Sequence, residues 1–217
     1  MRNSFLCVLA LALATPFLSA QQPAPAAVTQ VALPAPTLTG GMTLNEALAT
    51  RRTTRSFDAT PITAKEQSQL LWSAQGITDS KGHRTAPSAS AKYYLHVYVA
   101  RADGFFEYVP ATYSLRLISN KDIRSTLSTQ PPVKAAPIVF IIAGEYDRAV
   151  KEVPSRGIRF VDLEAGHATE NVLLQATSLK LAAIPVGGID TKQTGEAASL
   201  PAGITPIYLV PVGHPKP

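Results

Sequence analysis

The chain has 217 residues, a formal net charge of +5, 46% hydrophobic residues and 16% charged ones. That composition supports one domain of ordinary size with a buried core and excludes a largely disordered chain. Basic and acidic residues are interspersed except at 51–55, and no basic tract alternates with stacking aromatics, so nucleic-acid binding is not expected.

The first twenty residues, "MRNSFLCVLALALATPFLSA", combine a basic start at Arg2, an apolar run and a small residue at Ala20. They read as a secretory signal peptide cut after Ala20, which makes the mature protein periplasmic or secreted. The run is too short for a good membrane span, and an uncleaved anchor is the bland alternative. Cleavage removes Cys7, the only cysteine, and lowers the charge to +4 (+5 − 1 for Arg2). Residues 21–40, rich in Pro and Ala, read as an extended linker, with the folded domain at 41–217.

Thr43 with Glu46, and Thr63 with Glu66, are capping boxes that predict two helix starts. Leu44, Ala47 and Leu48 fall on one face of the first helix, and Leu70, Leu71 and Ala74 form the inner stripe of the second, which Gly76 is expected to stop. A polar loop follows, then a strand in "YYLHVYVA", a hairpin around Pro110 and Ala111, a short helix in "KDIRSTLS" and a buried strand in "PIVFIIAG". From Gly157 to Lys180 there is no proline, and apolar residues recur at 158, 161, 165, 168, 172, 176 and 179, the spacing of one long central helix. "LAAIPVGGID" enters as a strand, Asp190 caps a short helix, and "ITPIYLVPVG" is the last strand. Strands and helices without strict alternation imply an α+β domain with a mixed sheet.

No Gly-x-Ser-x-Gly elbow, Walker loop or Rossmann glycine motif is present. His167 and Glu170 stand three apart on the long helix, but one such pair reads as structural and no metal is expected. Three stretches remain. "RRTTRSF" places Arg51, Arg52 and Arg55 within five positions; a helix C-terminus favours one or two cations, not three. "PSASA" is a loop of small residues. "PVGGID" brings two glycines into one turn, where the main chain can approach a ligand. Each suits a flat anionic ligand, since arginines grip phosphate through paired N–H donors.

In order along the chain, "RRTTRSF", "ITAKEQSQLLWSAQGIT", "GHRTAPSASAKYYLHVYV", "RGIRFVDLEAGHATENVLLQATSLKLAAIPVGGID" and "PIYLVPVG" resemble the nitroreductase family of flavoproteins, and within it the SagB-type dehydrogenase/oxidase branch. The resemblance covers almost all of residues 44–213. It implies a nitroreductase-like α+β fold, a mixed central sheet flanked by helices, and an intertwined homodimer with FMN at its interface. By position, Arg51, Arg52 and Thr53 would hold the FMN phosphate and ribityl chain, and Arg55 the pyrimidine edge. Pro87, Ser88, Ala89, Ser90 and Ala91 would line the ring across the interface, and Pro185, Val186, Gly187 and Gly188 would pass near N5. The family works by ping-pong transfer between a donor such as NADH or NADPH and a small organic acceptor such as a nitroarene or quinone. The flavin carries the chemistry, so no catalytic side chain is implied. A non-catalytic flavin-binding protein of the same fold is the alternative. The chain departs from the branch at Tyr93-Tyr94 (usually Tyr-Pro), at Glu170 (usually Gln) and at Lys151-Glu152 (often Lys-Tyr). Late basic residues that other members offer to the phosphate are matched only by His214 and Lys216.

Overall fold

A computed structural model describes residues 29–216. The signal-peptide reading and Cys7 lie outside the described residues.

Strand β1 (Gln30–Ala32) precedes helices α1 (Leu44–Thr50) and α2 (Ala64–Gln75). Both capping boxes form. The Thr43 and Thr63 hydroxyls accept from the Glu46 and Glu66 N–H groups, and each glutamate accepts in return from its threonine's N–H. The helices differ in what they bury. Leu70, Leu71 and Ala74 of α2 are fully buried, whereas on α1 only Ala47 is; Leu44 and Leu48 are 64% and 56% exposed. Gly76 ends α2, but its φ is −63°, not left-handed. The glycine is needed because a Cβ there would stand 2.6 Å from the Trp72 carbonyl oxygen and collide with the Trp72 ring.

Strands β2 (Leu95–Arg101), β3 (Gly104–Val109) and β4 (Ser114–Ser119) follow, then helix α3 (Pro131–Ala135), strand β5 (Ile138–Gly144) and helix α4 (Tyr146–Glu152). Helix α5 (Gly157–Ser178) has 22 residues, about 33 Å at 1.5 Å per residue. Strand β6 (Ala182–Ala183), helix α6 (Thr191–Ala197) and strand β7 (Thr205–Gly213) complete the order. "KDIRSTLS" gives only a 3₁₀ turn at Arg124–Thr126, and α3 and α4 were not foreseen.

The seven strands form one sheet in the order β1-β4-β3-β2-β5-β7-β6. The sheet is not mixed, as the sequence suggested: every pairing between strands is antiparallel. Intervening helices do not fix strand direction; β5 and β7 run antiparallel although α4, α5 and α6 fall near or between them. Among the described residues the parallel contact is an isolated bridge between Thr53 and Ala183.

Strand β5 is buried throughout, and its side chains alternate between two cores. Phe140 and Ile142 join Leu70, Leu71, Val97, Val161, Ala168 and Val172 beneath α2 and α5. Val139 and Ile141 join Tyr98, Phe105, Leu127, Val133 and Leu209 on the other face. A continuous apolar run is what a strand buried on both faces needs, and each such side chain contributes roughly 1.5–3 kcal/mol. The α5 stripe is as spaced, except that Ile158 points outward, 58% exposed. Among the described residues no helix is long and apolar enough to cross a membrane.

The folded region begins before Gly41, so residues 30–40 are not a free linker. Val31 pairs with Leu115 on β4 and Leu33 packs on the core. The Ser68 hydroxyl donates to the Pro34 carbonyl at 2.5 Å, and the Gln69 side chain exchanges two hydrogen bonds with the Thr37 backbone at 2.8 and 3.2 Å. These bonds come from α2 to the backbone of a segment whose own side chains carry no pattern.

Candidate active site

Arg51 is the C-cap of α1, its N–H bonded to the Ala47 carbonyl at 2.9 Å. Its Nε lies 3.5 Å from Glu170 on α5. Arg52 folds back on the helix end, donating through Nη1 to the carbonyls of Ala49 (3.1 Å) and Arg51 (2.8 Å). A cation at the negative end of a helix dipole is stabilising, so the bland role accounts for Arg52 in the free chain. Thr53 and Thr54 then run beside β6, with the Thr54 N–H on the Ala183 carbonyl at 3.2 Å. Arg55 is exposed and, among the described residues, has no ion pair.

The "PVGGID" stretch is held on its other side by β7. Val186 and Leu209 exchange two backbone hydrogen bonds, 2.8 and 3.0 Å. Pro185 is half-buried, while Gly187 and Gly188 emerge into solvent. Among the described residues no acceptor meets their N–H groups. The Gly188 carbonyl accepts from Gln130 Nε2 at 2.9 Å, which orients the turn. A Cβ at Gly187 would stand 3.0 Å from the Tyr208 ring. The Thr53–Ala183 bridge thus brings the arginine segment and the glycine turn together, although they lie at opposite ends of the sequence.

The "PSASA" loop is built differently. Residues 89–91 form a 3₁₀ turn in which Ser90 (φ 50°) and Ala91 (φ 53°) are left-handed, and Tyr93 (φ 51°) follows. Left-handed backbone costs a non-glycine residue roughly 1–2 kcal/mol, so three in four positions need support. Ser88 supplies part of it. Its hydroxyl donates to Glu164 Oε2 at 2.6 Å and accepts the Tyr93 N–H at 2.8 Å. Glu164, on α5, also accepts the Tyr94 N–H at 3.3 Å. It is 1% exposed, and its other oxygen has no partner among the described residues. Burial pushes its carboxyl up, against the bonds from Ser88 and Tyr94 and the charge of Arg84. Arg84 donates to Gln75 Oε1 at 2.9 Å and lies over the Tyr93 ring. Pro87 and Ala91 are exposed, and the Ala89 and Ser90 N–H groups meet no acceptor among the described residues. Glu164 was not singled out from sequence. The available signal was a carboxylate three residues after Val161 and four before Ala168, inside the apolar stripe.

Within one chain the three stretches do not form one pocket. Among the described residues no hydrogen bond or ion pair joins 87–91 to 51–55 or 185–188. A cleft of about 670 Å³ lies elsewhere, against Leu38, Met42, Leu44, Trp72 and Gln175, and none of the thirteen predicted residues lines it. His167 is exposed, and its neighbour Glu170 is turned to Arg51.

A second polar cluster is closed. His96 Nδ1 meets Glu107 at 3.0 Å and Nε2 meets Glu145 at 2.7 Å. Arg116 pairs with Glu107, Arg148 with Glu145 (3.0 Å) and Glu152 (3.2 Å), and Lys92 with Glu152 (3.2 Å). The hydrogen bond to Glu107 holds the imidazolium of His96, raising its pKa against the effect of burial. Burial works to raise Glu107, but the bonds from His96 and Arg116 bring it below the usual range.

Comparison with known proteins settles what frame these parts occupy. The Nitroreductase family model matches residues 48–214, most of the chain and all three stretches. This chain belongs to the nitroreductase family. A protein of Methanocaldococcus jannaschii described as a nitroreductase is 36% identical over 181 residues, 79% of this chain and 90% of the other. A crystal structure of a protein from Ralstonia eutropha JMP134, also described as a nitroreductase, superposes with a TM-score of 0.82 at 33% identity, covering 87% and 90% of the two chains. The NADPH:FMN oxidoreductase of Vibrio harveyi, solved with NAD+, shares the fold at 22% identity and a TM-score of 0.59, covering 80% of this chain and 69% of that one. The α+β fold expected from sequence is therefore the nitroreductase fold, and the protein is an oxidoreductase of a flavin-using family.

Proposed function

We propose that this nitroreductase-family protein is an FMN-dependent oxidoreductase of the SagB-type branch, working as a homodimer. The cofactor lies between Arg51–Arg55 and Pro185–Gly188 of one protomer and Pro87–Ala91 of its partner. The observation that carries the reading is the Thr53–Ala183 bridge, which sets a cluster of cations beside a turn whose N–H donors are open. Open donors and cations on one side, and unmatched N–H groups at Ala89 and Ser90 on the other, fit an anionic, acceptor-rich cofactor. The exposed Leu44 and Leu48 on α1 fit a second copy packed beside the arginines.

Bound FMN supplies a ring that takes and returns two electrons with a hydride at N5. The chain's own groups bind and orient it. Arg51 and Arg52 grip the phosphate, which requires Arg52 to leave the helix carbonyls and Arg51 to share itself with Glu170. Arg55 sets a positive charge at the pyrimidine edge, where reduction places negative charge. The Gly187 and Gly188 N–H groups donate to the ring's edge, and residues 88–91 leave room above it. The donor is NADH, NADPH or another small reductant, and the acceptor a small nitroarene or quinone. Residues 1–20 direct export to the periplasm or the medium.

The test is the visible spectrum of the purified protein before and after FMN is added, followed by anaerobic mixing with NADPH. A yellow protein that bleaches with NADPH and recovers with a quinone is the expected result. A colourless protein that takes up no FMN overturns the reading, and one that binds FMN without reduction by any donor leaves only a binding role. Sedimentation of the FMN-loaded protein as a monomer would remove the shared site.

A further inference from the structure

Glu164 sits on the inner stripe of α5 among Val161, Ala165 and Ala168, a place where an ionisable group is costly unless it holds something. What it holds is one segment. Through Oε2 it takes the Ser88 hydroxyl at the start and the Tyr94 N–H at the end. Ser88 hands the connection on to the Tyr93 N–H. Between these points lie the left-handed residues Ser90, Ala91 and Tyr93, in a loop with no glycine to relieve them. The bonds inside the loop, Ala91 N–H to Ser88 and Lys92 N–H to Ala89, are local and would form equally in a relaxed turn. The far end of the segment is also held, by Arg148 on the Lys92 carbonyl, the Glu145 N–H on the Tyr94 carbonyl (3.0 Å) and the Arg84 N–H on the Tyr93 hydroxyl (3.2 Å), but the tie that reaches its start at Ser88 is Glu164.

We propose that Glu164 is a positioning residue for FMN. Acting through Ser88, it keeps residues 88–93 in the strained shape that leaves the Ala89 and Ser90 N–H groups open to the cofactor. This rests on the FMN reading above. Glu164 touches neither cofactor nor substrate; its effect is transmitted through the Ser88 hydroxyl, so removing either partner has the same consequence.

The test compares wild type with Ser88→Ala, Glu164→Ala and Glu164→Gln. FMN affinity is measured by fluorescence titration, and hydrogen exchange of residues 91–93, whose N–H groups are bonded, is followed in protein without FMN. Ser88→Ala removes one hydroxyl from a half-buried site and is the variant least able to unfold the chain. It is expected to weaken FMN binding about tenfold and to speed exchange at 91–93 by a similar factor. Glu164→Ala should do at least as much. Glu164→Gln, whose amide oxygen still accepts from Ser88 and Tyr94, should stay within about threefold of wild type. Wild-type affinity in both alanine variants overturns the proposal, whether or not exchange quickens. Wild-type protein that takes up no FMN overturns the cofactor reading and the FMN part of this one. The exchange rates then decide separately whether Glu164 anchors the segment.

Discussion

Two polar regions of this molecule balance their hydrogen bonds in opposite ways. In the cluster centred on His96, each charge from Arg116 through Lys92 meets an opposite one. Around the Thr53–Ala183 bridge, Arg55 is unpaired among the described residues, Arg52 is spent on helix carbonyls, and the two glycine N–H groups face solvent. A saturated network stabilises the chain as it stands. Unmet donors add nothing until something brings acceptors to them. The same residue types therefore serve structure in one place and, on the proposed reading, binding in the other.

That contrast breaks if mutations do not separate the two effects. The largest change is expected from the double variant Arg51→Ala/Arg52→Ala, with FMN affinity falling about 100-fold by fluorescence titration, as for two lost charge-assisted bonds. Its thermal stability should move by less than about 1 kcal/mol, because a half-exposed ion pair and a helix-end contact contribute little. His96→Ala should do the reverse. Two partly buried carboxylates lose a shared partner, at a cost of about 1–3 kcal/mol in a denaturant melt, with FMN affinity unchanged.

The pH dependence sharpens the same point. His96 has a raised pKa in the folded chain, so its contribution is complete below the unfolded value, about 6.5, and is lost as pH rises through the folded one. Glu107 is lowered, so its contribution fades as pH falls through its folded pKa. Melting temperatures of wild type should decline as pH rises above about 6.5 relative to His96→Ala, which should lack that step. The smallest effect is expected at Thr43→Ala. Loss of the cap should cost about 0.5–1 kcal/mol in α1 and leave FMN affinity within about threefold, since the arginines leave the helix at its other end.

What the sequence disclosed follows the range of the interaction. Thr43 with Glu46 and Thr63 with Glu66 are devices closed within four residues, and both helices start where they predict. The period of α5 and the apolar run of β5 are equally local. β1 escaped because its pairing with β4 is made by backbone, which any residues supply. Leu44, Ala47 and Leu48 share one helical face, yet only Ala47 is buried; an amphipathic pattern does not say which surface covers it. The arginine segment and glycine turn were expected in one site and lie together, whereas "PSASA" stands apart within the chain. The His96 cluster left no motif, because its members come from β2, β3, β4, α4 and the loop before β2.

The rung between Thr53 and Ala183 has a consequence for biogenesis. β6 is itself held by Val212 and Gly213, so the strand that receives the arginine segment has no edge to rest on until the last strand has been made. A nascent chain emerging from the ribosome carries its cations from the start but cannot arrange them. On the proposed reading, a nucleotide finds these cations arranged only after β7 has paired with β6.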